Sequence, residues 1–195
     1  MNRSLPDPYE AMDGALVADA ATMGLHWMYD QEQIKKIELT GDVLFRQPDA
    51  AAYEGKKAYF AHAAKKAGEQ SQYGQCVRVV AEVIARHGSY SVTEHQKHFF
   101  DTFGPCGSYH GFADRPTKAL VARIINDGEE LAEVSGSDDD QMPALCSVPA
   151  LFASGANSDD VNRAVLVTNN NEQATSGAQV LFCLLYTSPS PRDRG

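Results

Sequence analysis

The first polar stretch of the sequence, residues 13–30, combines a carboxylate with an imidazole. It places Asp19 inside an otherwise apolar helical pattern and ends in His26, Trp27 and Asp30, just after a glycine. An imidazole changes its charge near neutral pH, so His26 is suited to act as a base beside a carboxylate. A buried, hydrogen-bonded Asp19 and an aromatic plug account equally well for these residues, and both interpretations stay open at this point.

The second polar stretch is Gly-Glu-Gln-Ser-Gln-Tyr-Gly-Gln at residues 68–75, and it precedes a strongly apolar helical pattern. Backbone N–H groups at the start of a helix have no partner within the helix, and they suit a phosphate or a sugar hydroxyl. Ser71 and Tyr73 lie in this stretch and are therefore candidate substrate contacts.

The third polar stretch carries three consecutive carboxylates, Asp138, Asp139 and Asp140. They repel one another unless a helix dipole, a cation or water offsets their charge. Oxygen-rich sites of this kind suit Mg²⁺. A solvated helix start is the alternative, because acidic residues are common in first turns, as Asp159 and Asp160 illustrate in the same chain.

Composition excludes several classes of partner. The chain has 195 residues, 43% of them hydrophobic, and 17 basic against 26 acidic residues give a formal charge of −9. Nucleic acid and anionic membranes do not attract such a chain. No basic and apolar signal segment follows Met1, and the apolar run at residues 180–186 is shorter than the ~20 residues that span a bilayer. We therefore expect a cytoplasmic protein without nucleic-acid or membrane partners.

Cysteines and histidines give no sign of a zinc site. The four cysteines form no CxxC pair and the six histidines form no HExxH motif. Cys76, Cys146 and Cys183 lie in apolar helical patterns, where we expect buried thiols.

Helical periodicity predicts the elements that must position the three polar stretches. Eight segments repeat apolar residues at helical spacing and no segment alternates strongly, so the sequence predicts an all-α fold. Residues 42–66 lack periodicity and predict a long loop or flap, and residues 104–114 predict a second loop. The sixth helix is expected to start at Ser137. The expected N-caps of the first, second, fourth and seventh helices are Asp7, Asp30, Ser91 and Ser158.

The last twelve residues, 184–195, break this pattern with a tail rich in Pro, Ser and Arg. A natural disordered terminus is one interpretation. The string is also similar to a translated sequencing adapter, which we favour. We therefore predict a partial domain over residues 1–183, a non-native or disordered tail over 184–195, and a natural protein that continued past residue 183.

Taken together, the polar stretches resemble the ADP-ribosylglycohydrolase superfamily, which includes dinitrogenase-reductase-activating glycohydrolase and the J1 crystallins. The resemblance runs from about Asp13 to Cys183. It is carried by five blocks in order, GALVADAATMGLHWMYD, GEQSQYGQ, GSYHGFADRPTK, SGSDDDQMPAL and VTNNNEQATSGAQVL.

The resemblance implies a multi-helix orthogonal bundle with two Mg²⁺ ions, or Mn²⁺, in a central cleft. It implies hydrolysis of a glycosidic bond to ADP-ribose, in a small molecule or an ADP-ribosylated substrate. The residues it marks are Asp19 and His26 as catalytic; Trp27, Asp30, Ser71, Tyr73, Gly107, Tyr109, Gly136 and Ser137 as substrate-binding; and Asp138, Asp139 and Asp140 as metal-binding.

The departures from the family pattern concern the metal ligands. Active members carry Thr-Asp-Asp-Thr where this chain has Ser71-Gln-Tyr-Gly74, so Gln72 and Tyr73 replace the ligating aspartates. The second ligand cluster of the family, Gly-Asp-x-Asp, is absent. We therefore expect a Mg²⁺-dependent hydrolase in the longer parent and no activity in this chain. The alternative is a crystallin J1-like binding or structural protein that has lost the metal site.

Overall fold

The computed structural model describes residues 7–128 and 134–187, and within these ranges the chain folds into eight α-helices without a β-strand. The predicted all-α class is therefore confirmed. The helices are α1 (Pro8–Thr22), α2 (Gln31–Thr40), α3 (Gln72–His87), α4 (Val92–Phe103), α5 (Arg115–Asp127), α6 (Val148–Ala153), α7 (Ser158–Thr168) and α8 (Glu172–Thr187). None of the helices in the described ranges is long and apolar enough to cross a membrane.

Helix α3 lies at the centre of the bundle and contacts α1, α4 and α6. Its valines at helical spacing, Val77, Val80 and Val83, are buried, because they form the apolar face of an amphipathic helix and this face packs against the core. The helix ends at Gly88, whose φ of 75° is a left-handed conformation that glycine adopts without strain. The core continues through the buried faces of α4, α5, α6, α7 and α8, and its largest fully buried apolar side chains include Phe99, Leu120 and Leu151.

Three of the predicted N-caps are confirmed, and the fourth is wrong by one residue. Asp7, Asp30 and Ser91 each accept a hydrogen bond from a backbone N–H in the first turn of their helices. Helix α7 is capped by Asn157 rather than Ser158. The Asn157 side chain accepts from two backbone N–H groups while the Asp160 carboxylate accepts from the Asn157 N–H, which is a capping box.

The predicted start of the sixth helix at Ser137 is wrong. Ser137 instead forms a parallel β-bridge with Asn169, and a 3-10 turn at Met142–Ser147 leads into α6. The bridge uses the backbone groups of Ser137 that a helix would need, since the Asn170 N–H donates to the Ser137 carbonyl at 2.8 Å. The acidic stretch is therefore non-helical, so its carboxylates do not lie in the first turn of a helix of their own.

The apolar end of α8 is partly covered by the rest of the bundle. Phe182 is buried and its ring lies 6.4 Å from that of Phe152, while Leu181 and Leu185 are half-buried. The exposed large apolar side chains on this helix are Val180, Leu184 and Tyr186, and Cys183 is exposed as well. Cys183 is thus not the buried thiol that the apolar pattern suggested.

The predicted tail at 184–195 falls partly inside α8. The helix continues to Thr187, so the first four residues assigned to the tail are helical. The remaining residues, 188–195, lie outside the described part of the chain.

The long loop between α2 and α3, residues 42–71, is called the flap below. It contains one 3-10 turn, Ala50–Ala52, and docks on the segment that follows α1. The Tyr59 N–H donates to the Trp27 carbonyl at 3.1 Å, and the Tyr53 hydroxyl lies within hydrogen-bond distance of the Gly24 and His26 carbonyls. The flap therefore covers the His-Trp-Met-Tyr-Asp end of the first polar stretch.

Candidate functional site

The first and second polar stretches meet where α1 ends and α3 begins. The carboxylate of Asp19 accepts a hydrogen bond from the Ser71 N–H at 2.7 Å and another from the Ser71 hydroxyl. The same hydroxyl caps α3 by accepting from the Tyr73 N–H. Asp19 is therefore held at the N-terminal end of α3, where the helix dipole is positive.

Gly74 is required by the same junction. A Cβ at this position would overlap both the Asp19 carboxylate and the amide oxygen of Gln70. The Gln70 amide nitrogen donates to the Leu16 carbonyl at 3.1 Å, which turns its oxygen toward Gly74. The Gln-Tyr-Gly part of the second stretch thus lets α3 approach the half-buried Asp19 carboxylate closely.

A pair of histidines lies beside this junction. Nδ1 of His26 is 2.8 Å from Nε2 of His62, and the two rings stack with centroids 5.0 Å apart. His62 comes from the flap and only 3% of it is exposed. The sequence analysis missed His62, because the flap has no periodic pattern that would place one of its side chains in the interior.

Aromatic rings surround the histidine pair. The Trp27 ring lies 4.6 Å from Phe112 and 4.5 Å from His26, and the Tyr73 ring contacts His26 edge-on at 5.5 Å. Trp27 has a φ of 60°, a left-handed conformation that costs energy for a bulky residue. Strain of this kind persists where the surroundings fix the residue, and Tyr59 of the flap adds a further ring contact at 5.5 Å.

Two lysines add positive charge to the aromatic cluster. The Lys65 ammonium lies 4.2 Å from the centre of the Tyr109 ring, and the Lys118 ammonium lies 5.5 Å from that of Phe112. The Tyr109 hydroxyl donates to the Phe112 carbonyl at 2.9 Å and so fixes the loop that carries both rings. The cluster therefore combines flat apolar faces with cationic groups.

Burial keeps the imidazoles of this site neutral at physiological pH. It lowers the pKa of His26, with a smaller opposing effect from the Asp19 carboxylate. Burial also lowers the pKa of His62 to about 4, and the neighbouring His26 and Lys65 act in the same direction. Burial raises the pKa of the Tyr73 phenol far above its usual range. The site thus presents neutral hydrogen-bonding rings beside one carboxylate.

Gln72 is a structural residue. One percent of it is exposed, its amide nitrogen donates to the Thr117 hydroxyl at 2.7 Å, and its oxygen accepts from the Asp114 N–H at 2.6 Å. Gln72 therefore ties the first turn of α3 to the first turn of α5, which the Asp114 side chain caps. Its polar atoms serve the packing of the two helices.

The third polar stretch is built around an ion pair. Asp139 is buried, and its Oδ2 lies 2.6 Å from Nη2 and 2.7 Å from Nε of Arg115, while its Oδ1 accepts from the Gln141 N–H. Asp138 and Asp140 are exposed, and Asp138 accepts from the Asn171 amide at 2.7 Å. The bonds of this stretch go to Arg115, Gln141 and Asn171 rather than to the histidine pair.

These donor sets do not fit the magnesium ions that the resemblance implies. Within residues 7–128 and 134–187, no three His, Cys, Asp or Glu side chains come together in a group that could hold a metal ion. Both oxygens of Asp139 already accept from protein donors, and so do both oxygens of Asp19. Gln72 and Tyr73 supply no carboxylate.

The other residues marked by the resemblance have local roles. Asp30 caps α2 by accepting from the Gln33 N–H, and Gly107 allows a tight turn in which a Cβ would overlap the Thr102 carbonyl. Gly136 is buried against the backbone at Asn169. The Ser137 hydroxyl is buried and has no hydrogen-bond partner among the described residues. Asp19, His26, Trp27, Ser71, Tyr73 and Tyr109 are the marked residues that the structure brings together.

The sequence comparison finds a curated relative. It is Crystallin J1A from Tripedalia cystophora, which is 24% identical over 191 residues and aligns with 90% of this chain and 56% of its own length. This chain therefore spans about half the length of the curated relative that it matches. No family model matches the sequence, and no solved structure matches it. The likeness supports the resemblance at the level of the superfamily.

Proposed function

We propose that the chain is part of an ADP-ribosylglycohydrolase-like domain whose site, between Asp19, His26 and Tyr73, binds ADP-ribose or a related nucleoside or sugar compound. The main support is the junction at Asp19 and Ser71, which joins two blocks 52 residues apart in the order the resemblance requires. We further propose that, in a domain of the relative's full length, such a site would belong to a hydrolase that cleaves the glycosidic bond.

The side chains around the junction have the chemistry for such a ligand. The Trp27 and Phe112 rings offer apolar faces to a flat base or a sugar ring. Lys65 supplies a positive charge for a phosphate, and burial lowers its pKa, although Glu69 and Asp19 oppose this shift. The Asp19 carboxylate and His26 lie where sugar hydroxyls need hydrogen-bonding groups.

A second candidate is a crystallin J1-like binding or structural protein without catalysis. The hydrogen bonds of Gln72 to Thr117 and Asp114 favour this second candidate, because residue 72 then stabilises the helix packing and supplies no metal ligand. The likeness to Crystallin J1A is compatible with both candidates. Binding and turnover must therefore be tested separately.

Binding can be followed through Trp27, which is the single tryptophan of the chain. We expect ADP-ribose to cause a saturable change in tryptophan fluorescence. Lys65→Met weakens the affinity about tenfold, since a charge-assisted contact is lost. Lys97→Met, at an exposed lysine on α4, is the matched control and leaves the affinity unchanged. Equal affinities of the two variants, or no saturable change at millimolar ADP-ribose, would contradict the proposal.

Turnover distinguishes the two candidate functions. We expect the 195-residue chain to release no ADP-ribose from model substrates, with or without Mg²⁺, because Gln72 and Tyr73 replace carboxylates. A version that carries the family's Gly-Asp-x-Asp cluster after this chain should release ADP-ribose if the hydrolase proposal is right, because that cluster would supply the carboxylates that residues 72 and 73 lack. An extended version that binds ADP-ribose without turnover would favour the crystallin-like alternative.

A further inference from the structure

We propose that His62 is a positioning residue that holds His26 in the tautomer protonated at Nε2, so that the site presents a neutral N–H donor. A neutral imidazole carries its proton on one of two nitrogens, and the partner of the other nitrogen decides which. Here that partner is Nε2 of His62, 2.8 Å from Nδ1 of His26. The tautomer of His26 does not depend on the proposed function. Only the claim that its Nε2–H group binds a ligand rests on that function.

The direction of the hydrogen bond follows from the far side of the His62 ring. Nδ1 of His62 is buried and has no hydrogen-bond partner among the described residues. If His62 accepted the bond at Nε2, its proton would sit on Nδ1 as a buried donor without a partner. If His62 donates from Nε2, its own Nδ1 is unprotonated and is only a buried acceptor without a partner. Orphaned buried N–H donors are rarer than under-satisfied acceptors, so the second arrangement is favoured.

The same geometry opposes protonation of either ring. A charged His26 has protons on both nitrogens, so His62 would have to accept and move its own proton to the buried Nδ1. Three neighbouring groups act on the pair, namely Asp19 from α1, Lys65 from the flap and Tyr73 from α3. Asp19 favours the charged form of His26, and Lys65 disfavours a charge on His62, while Tyr73 stays neutral.

This tautomer selects the chemistry of the ligand atom that meets His26. An Nε2–H group donates, so it pairs with a phosphate, carbonyl or hydroxyl oxygen. In this state His26 does not accept a proton and does not serve as a base. His62 thus turns His26 from a candidate base into a binding group for an oxygen acceptor.

Nitrogen NMR of the ligand-free protein tests the assignment directly. Correlation of the ring carbon protons with both ring nitrogens distinguishes a protonated from an unprotonated nitrogen. At neutral pH we expect His26 to be protonated at Nε2 only, and His62 likewise. A proton on Nδ1 of His26 would overturn the proposal.

Two substitutions separate positioning from packing. His62→Gln keeps an N–H donor but also offers an oxygen that can accept, so we expect near-normal ADP-ribose affinity and a pKa of His26 that rises. His62→Phe removes the donor, so His26 should no longer be restricted to the Nε2–H tautomer. We expect the affinity for ADP-ribose to fall about tenfold. His95→Gln is the matched control, because His95 is equally buried but bonds to Tyr90.

The outcomes distinguish this proposal from the proposed function. If ADP-ribose fails to bind while His26 shows the expected tautomer and the pKa of His26 rises in His62→Gln, the positioning role stands and the ligand assignment fails. If ADP-ribose binds while the tautomer of His26 is unchanged in His62→Phe, the positioning role is wrong.

Discussion

Two carboxylates that face helix starts, the half-buried Asp19 and the buried Asp139, have opposite surroundings. Asp19 faces the start of α3 and accepts from the neutral groups of Ser71, beside two uncharged imidazoles. Asp139 faces the start of α5 and is neutralised by the guanidinium of Arg115. The Asp19 carboxylate is paired with neutral donors of Ser71, whereas the Asp139 carboxylate is paired with a cation and joins two segments of the chain. The number of acidic residues in a stretch therefore does not identify a site.

Breaking the ion pair of the Asp139 corner should have the largest effect. Arg115→Met leaves a buried carboxylate without its cation, and we expect a loss of about 3 kcal/mol in the free energy of unfolding. Urea denaturation followed by circular dichroism measures this loss. Asp138→Asn, at the exposed neighbour, is the matched control and should change stability by less than about 0.5 kcal/mol. Comparable effects of the two variants would mean that the ion pair does not organise this corner.

A larger residue at Gly74 should destabilise the protein by disturbing the contacts of the Asp19 carboxylate. Gly74→Ala places a methyl group on the Asp19 carboxylate and the Gln70 amide, and we expect a cost of about 2 kcal/mol. Gly14→Ala on α1 is the matched control, because nothing lies within 4 Å of its Cβ position. An alanine there favours the helix and should stabilise the protein by about 0.5–1 kcal/mol. Thermal unfolding of both variants should therefore shift in opposite directions, and shifts of the same sign would contradict this account of Gly74.

The contrast between these corners was only partly predictable. Helical periodicity and cap residues specify the helices locally, which is why the class and three N-caps follow from the sequence. The pairing of Asp139 with Arg115 joins residues 24 apart, and no local pattern encodes it. His62 lies in an aperiodic flap, where burial is decided by docking onto a distant segment. Asp19, His26 and Ser71 could be assigned to one site only from the resemblance, because local patterns do not show which distant residues meet.

The buried imidazole of His62, beside Asp19, should make the stability of the protein depend on pH. The pKa of His62 is about 4 in the folded protein and about 6.5 in an unfolded chain, so the unfolded chain takes up the proton first as the pH falls. The contribution of His62 to stability is complete above pH 6.5 and is lost as the pH falls toward 4. At about pH 5.5 we expect this loss to reach roughly 1 kcal/mol. Unfolding of His62→Gln across this range should show a shallower pH dependence, and parallel profiles would contradict the burial of a neutral His62.

The contact between the flap and Gly24 also sets an order of assembly. A Cβ at Gly24 would overlap the Arg46 carbonyl, so the beginning of the flap lies directly on the turn that ends α1. This contact closes a short loop, whereas the Asp19–Ser71 junction closes one of 52 residues. Because closing a longer loop costs more chain entropy, the flap can settle on Gly24 before α3 reaches Asp19. We therefore expect Ser71 to reach Asp19 after Arg46 has docked on Gly24.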